Sequence, residues 1–387
     1  PEVLVCGWYG TETLGDKAIL GGVIEALQQR LGPCRINVIS LHRYVSEVTR
    51  RQMPELKGTG ILDAREALER LPQADLLVFG GGPLMAIHEL AEMQVLFETA
   101  KRLGVRTLIA GCGVGPLGLP WHNQALAALL NAADMRIYRD QRSSQVARAL
   151  GVDTENDLVA EDPAFTWLQK RSTSDAVSAP HEGRVLLLGL REFPFVDYAK
   201  HLSKQECEQI RTRSEEAIMA ALETLIQRHP DLRIRPLPMC TNHFGDDDRW
   251  YYRQLLGRSP SVEARLDRSL LHAELDPDTY VEAFKSADVA LTMRFHALVF
   301  ALGLHTPAVA IDYTLGQGKV HSLAQRFGVG CQSLNELTSE FLVEQIERQL
   351  NSAEKPGIGF TPAFSAALSQ QLDRVGMPRS AAEVQAA

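Results

Sequence analysis

The sequence has 387 residues, 45% of them hydrophobic, and a net charge of −8, which is enough chain for two globular domains with separate cores. Its 40 basic residues are scattered, which argues against a nucleic-acid footprint or a basic membrane-binding face and leaves anionic substrates to be met by local clusters. Six cysteines, Cys6, Cys34, Cys112, Cys207, Cys240 and Cys331, are far apart and form no CxxC pair, so reduced thiols in a cytoplasmic setting are expected in place of a disulfide frame or zinc site.

No apolar run reaches the roughly 18–20 residues that span a bilayer, and the chain enters a strand at once, so neither secretion nor membrane insertion is expected. Residues 3–6 read as a short buried strand. GWYGTETLGD follows, then a helix in which Ile19, Val23, Leu27 and Leu31 recur at helical spacing. Gly7, Gly10 and Gly15 allow a tight turn and a close approach to a ligand, while Asp16 opens the helix. The same residues serve equally well as a plain turn and cap.

Residues 74–79 give the next strand, ending in Gly80-Gly81-Gly82-Pro83-Leu84, and residues 107–110 another, ending in a GCGVGPLG loop that holds Gly113. Neither loop has dinucleotide-binding spacing or a P-loop lysine, and close helix-to-sheet packing also selects glycine. Residues 135–138 form a strand ending at Arg139 and Asp140, with Ser143 placed to cap a helix that stops at Gly151. Arg139 reads either as a partner of Asp140 or Asp162 or as a ligand-binding cation. LVAEDPAF closes this first series.

The Ser-, Thr-, Ala- and charge-rich stretch 170–183 is the expected linker. It divides the chain into domains at 1–175 and 182–352, with a tail at 353–387 whose helix, at 363–375, can cross back to the first domain. The second series opens with a strand at 185–190 ending at Arg191, which suits a phosphate site or an inter-domain ion pair. A helix through Ile218, Leu222 and Leu225 and a strand at 234–237 follow. In CTNHFGDDDRWYY, the run Asp246, Asp247 and Asp248 reads as a solvated helix start that favours the dipole, and no metal is expected. His243, Trp250 and Tyr251 offer polar and stacking surfaces for a sugar, or pack the helix.

The centre of the reading is ADVALTMRFHALVFALGLHTPAVAID. A strand ends near Thr292, and a turn carries Arg294 and His296. A helix from about Ala297 places Leu298, Ala301 and Leu302 on one face and stops at Gly303; a further strand follows Pro307. Backbone N–H groups and the positive end of the helix dipole favour a phosphate at such a junction. There a guanidinium can grip the anion and an imidazole can pass a proton. Taken alone, an RxH pair reads as a cap and a satisfied buried histidine.

Taken together, TMRFHALVFALGLHTPAVAIDY, GGGxL, GxGxGP, R-D-x-x-S and D-P-x-F, in this order, resemble the polysaccharide pyruvyltransferase family, whose C-terminal signature is an S-x-R-x-H-A turn before such a helix. Thr13 stands where the family's N-x-G-D has asparagine. DYTLGQGKV resembles its Y-D-x-K segment with two extra residues between Tyr313 and Lys319. The resemblance implies an α/β fold of two doubly wound Rossmann-like domains facing across a cleft, glycosyltransferase-B-like. The first is expected to serve the acceptor and the second the donor.

It further implies transfer of pyruvate from phosphoenolpyruvate to a sugar as a ketal, with His296 as general acid and Arg139 and Arg294 on the donor. Gly10, Thr13, Asp16, Gly81, Gly82, Gly113, Arg191, Phe295, His243 and Lys319 are then substrate contacts. Phosphoenolpyruvate is a donor substrate, and no cofactor is implied. The acceptor is a sugar of a polysaccharide or its lipid- or nucleotide-linked precursor, and a lipid-carried acceptor would bring the protein peripherally to the inner membrane face. A nucleotide-sugar glycosyltransferase of the same fold and a non-catalytic sugar or anion sensor are the alternatives.

Overall fold

The structure, a computed structural model, describes residues 1–86, 88, 90–173, 183–241, 247–272, 274–316, 318–352 and 363–380. The chain divides into two compact units. One holds residues 1–11, 16–170 and the described part of the C-terminal segment; the other holds 12–15 and 171 onward up to that segment. Both are Rossmann-like, with hydrophobic strand runs buried between helices as a parallel sheet requires.

The first unit carries strands β1 (Glu2–Cys6), β2 (Arg35–Ile39), β3 (Gly60–Leu62), β4 (Leu76–Gly80), β5 (Pro83–Leu84), β6 (Arg106–Val114), β7 (Met135–Tyr138) and β8 (Leu158–Val159). The order is β3-β2-β1-β4-β6-β7-β8, with β5 paired to β6 beyond β4, and every pairing is parallel. The strand order reverses between β1 and β4, which makes the carboxyl ends of those two strands this unit's topological switch point.

The helix Phe364–Arg374 clusters with this first unit. Phe364, Leu368 and Leu372 are fully buried, and the buried Arg30 guanidinium donates to Asp373 at 2.6 Å and to the carbonyl of Pro378 at 2.7 Å. Gln371 also donates to the carbonyl of Asn156 at 2.9 Å.

The second unit carries β9 (Val185–Gly189), β10 (Arg233–Pro236), β11 (Val289–Thr292), β12 (Ala308–Asp312) and β13 (Gly330–Ser333), ordered β10-β9-β11-β12-β13 and parallel throughout. This is the doubly wound order whose switch point lies between its first and third strands, here β9 and β11. The helix Phe295–Gly303 buries Phe295 and every residue from Ala297 to Leu302. The one-sided apolar face expected of it is therefore corrected: it is apolar nearly all round, as a helix enclosed in a core must be.

Candidate active site

The second unit's switch point gathers the expected cations. Arg191 follows β9, and Arg294 is the N-cap residue of the helix Phe295–Gly303 that follows β11. Lys319 opens the helix Lys319–Arg326 beyond β12. Each cation has a fixed seat. Arg294 grips Asp248 through Nε at 2.8 and 3.0 Å and Nη2 at 2.5 Å. The Arg191 guanidinium lies over the Tyr313 ring, 5.2 Å from its centroid, and the Lys319 ammonium lies over the Phe295 ring at 5.4 Å. Such contacts hold a cation at an aromatic face.

Asp248 corrects the reading of the acidic run as a solvated turn. It is 2% exposed and accepts from the backbone N–H groups of Met239 at 2.9 Å and Cys240 at 3.1 Å as well as from Arg294. Burial pushes its carboxyl above the ordinary value against the opposing charge of Arg294. Asp247 does the capping, accepting from the N–H of Arg249 at 2.9 Å. On the same helix Trp250 is 60% exposed, whereas Tyr251 is buried in the packing. His243 and Asp246 lie outside the described residues.

His296 is the second residue of its helix, half-buried, with its ring edge-on to Phe295 at a centroid separation of 5.1 Å. It also packs against Gly15, where an added Cβ would overlap the imidazole. The segment 12–15 is laid against residues 239–241: Leu14 N–H donates to the Met239 carbonyl at 2.9 Å, and Thr241 N–H donates to the Glu12 carbonyl at 3.0 Å. Thr13 places its hydroxyl 3.4 Å from the Cys240 sulfur. The glycine that matters to His296 is thus Gly15. Sequence spacing alone gave no sign of that pairing.

In the first unit the glycine stretch after β4 is a short link that carries the chain along β6 into β5. Gly81 N–H donates to the Ala110 carbonyl at 2.7 Å, Gly113 N–H donates to that of Gly82 at 2.9 Å, and Pro83 and Leu84 pair with Gly113 and Val114. Gly81 and Gly82 have φ of +68° and +74°, a region that favours glycine. Gly113 is corrected from a loop to a strand residue, because β6 runs on to Val114 through a register shift between Ala110 and Cys112. Its missing side chain makes room for Arg139, since a Cβ there would stand 2.6 Å from the Arg139 Nε.

Arg139 itself is 5% exposed. It donates through Nη1 to Asp162 at 3.2 Å and lies 3.8 Å from Asp140. The helix Gln141–Ala149 is capped by Asp140, not Ser143: Asp140 accepts from the Ser143 N–H at 2.7 Å. Ser143 is instead the acceptor for the Val114 N–H at 2.9 Å. At the β1 end, Trp8 donates to the Pro83 carbonyl at 2.7 Å, and Asp16 accepts from Thr11 at 3.2 Å. Gly10, with φ of +85°, packs so tightly that a Cβ would lie 2.6 Å from the His42 backbone nitrogen.

Two Rossmann-like units, one with cations and an imidazole collected beside its switch point, place the protein in the doubly wound α/β class, in which ligands bind beyond the carboxyl ends of the strands. Residues 14–314 match the family model described as polysaccharide pyruvyl transferase, and the chain belongs to that family. The family indicates a transferase of polysaccharide assembly.

Among solved structures the chain is similar to a putative UDP-N-acetylglucosamine 2-epimerase from Listeria monocytogenes, at 12% identity and a TM-score of 0.60, covering 98% of this chain and 99% of that one. The Methanocaldococcus jannaschii UDP-GlcNAc 2-epimerase gives 11%, 0.62, 97% and 99% in the same terms. The Neisseria meningitidis enzyme bound to UDP-GlcNAc gives 13%, 0.59, 97% and 100%. These likenesses establish the fold. No curated protein matches the chain. Among the described residues, no helix is long and apolar enough to cross a membrane.

Proposed function

We propose that the protein transfers the pyruvyl group of phosphoenolpyruvate to two hydroxyls of a sugar in a polysaccharide or its precursor, forming a cyclic ketal. The observation that carries this reading is the gathering of Arg191, Arg294 and Lys319 with His296 at the switch point of the second unit. The donor's phosphate and carboxylate require several cations held in fixed orientations, and a fork-shaped guanidinium fixed by a buried carboxylate supplies one.

In the proposed reaction His296 delivers a proton to the methylene carbon of the enol, and the neighbouring carbon becomes electrophilic. One sugar hydroxyl adds there and loses its proton. The bond to the phosphate oxygen breaks, inorganic phosphate leaves, and the second hydroxyl closes the ketal. The two hydroxyl protons are balanced by the new methyl hydrogen and the proton carried away by phosphate. The donor oxygen therefore stays with the phosphate. The first unit, with its glycine stretch and the half-buried Trp8 after β1, is the proposed acceptor side.

The test is calorimetric titration with phosphoenolpyruvate, paired with phosphate release and NMR detection of the ketal methyl group across candidate sugar acceptors. Arg294→Ala is expected to weaken donor binding about a hundredfold. His296→Ala is expected to keep binding and to lose two to four orders of magnitude in turnover. Full turnover in His296→Ala would remove it as the acid, and binding of a nucleoside diphosphate with none of phosphoenolpyruvate would replace the reading with glycosyl transfer.

A further inference from the structure

One buried titratable group at this site has no part in the reaction as written. Tyr313 is 2% exposed and follows β12, whose last residue, Asp312, is fully buried. Asp312 folds the next turn by accepting from the N–H of Thr314 at 3.0 Å and of Gly316 at 2.7 Å, and from the Thr314 hydroxyl. The Tyr313 backbone is therefore fixed from both sides. Its ring carries the Arg191 guanidinium and meets the Tyr198 ring edge-on, with centroids 5.1 Å apart and planes at 85°.

We propose that Tyr313 is a positioning residue of the anion site: its ring, braced edge-on by Tyr198, seats Arg191, and its phenolic oxygen helps hold Arg191, Lys319 and Arg294 in the arrangement that receives the donor. The proposal rests on the reading of this cluster as the phosphoenolpyruvate site.

The charges around the phenol support it. Burial raises the Tyr313 phenol, but Lys319, Arg191 and Arg294 outweigh burial, and Tyr198 adds a hydrogen bond in the same sense, so the group lies below its ordinary value. Tyr198 is pushed up, by burial and then by Tyr313. The groups facing the pair are Arg191 beyond β9, Arg294 and its partner Asp248, Lys319 on the following helix, Asp197 beside Tyr198, and Asp312 beneath the turn. An arriving phosphate offsets the same cations and so acts to raise the phenol.

The experiment compares wild type with Tyr313→Phe, Tyr313→Leu and Tyr198→Phe. Donor KM and kcat are measured separately, and tyrosinate formation is followed by ultraviolet absorbance during pH titration, with and without phosphoenolpyruvate or inorganic phosphate. Tyr313→Phe keeps the ring under Arg191 and loses the oxygen, so the donor KM rises about tenfold with kcat changed far less. Tyr313→Leu loses both and is worse by about a further threefold.

In wild type the titration absent from Tyr313→Phe begins below the ordinary phenol range and moves to higher pH when either anion is bound. A titration that bound anion does not move, or a Tyr313→Phe donor KM equal to wild type, overturns the proposal. If phosphoenolpyruvate fails to bind while inorganic phosphate binds and shifts the titration, the anion site with its tyrosine stands and the donor assignment falls. If neither anion binds, both fall.

Discussion

Arg139 and Arg294 are two versions of one local design with different fates. Each stands just past the carboxyl end of a parallel strand and each holds a buried aspartate, Asp162 or Asp248. Arg294 follows β11, one of the two strands at which the sheet order reverses, whereas Arg139 follows β7, two strands removed from the β1/β4 reversal of its own sheet. Only at a reversal do the connections on either side leave in opposite directions and open a crevice. Arg294 accordingly has cations and an imidazole for company, and Arg139 has Gly113 against its guanidinium and side-chain exposure of 3%. Position in the strand order, more than the arginine itself, separates the two surroundings.

The comparison can be broken most directly through the carboxylates. Asp162→Ala removes the nearer of the carboxylates beside a buried guanidinium and is expected to cost about 3 kcal/mol of stability in urea unfolding, with donor affinity within twofold of wild type. A large loss of affinity in a folded Asp162→Ala protein would return Arg139 to the donor site. Gly15→Ala tests the other region. The new methyl group displaces His296, and turnover is expected to fall about a hundredfold from that small misplacement, measured beside a thermal melt to separate activity from unfolding.

Gly113→Ala presses on the Arg139 guanidinium and should destabilise by about 1–3 kcal/mol. Its kcat is expected to stay near wild type, and a selective kcat loss would show that Arg139 takes part in the chemistry. The smallest effect belongs to Phe295→Leu, which removes the aromatic seat of Lys319. It should raise the donor KM about threefold, in line with about 0.5–1 kcal/mol for a partly exposed cation–π contact.

Much of this was legible in the chain. Apolar runs at 3–6, 74–79 and 185–190 announced strands because a parallel sheet covered on both faces tolerates little else. The arginine and histidine after Thr292 announced a strand-to-helix junction because their apolar flanks change period there. Asp248 was misread because a carboxylate at a helix start looks solvated until the residue facing it is known, and Arg294 is 46 positions away. Gly113 was misread because a register shift lets a strand run through glycines that look like its end.

The sequence by itself determined the family, the two α/β series and the residue types that can hold an anion, since these depend on periodicity and on side-chain chemistry carried by neighbouring positions. Tertiary structure alone decided that Gly15 meets His296, that Asp248 fixes Arg294, and that Tyr313 lies beneath Arg191. Those pairings join residues far apart in the chain, and the strand order of the sheet, which no local pattern encodes, is what brings them together.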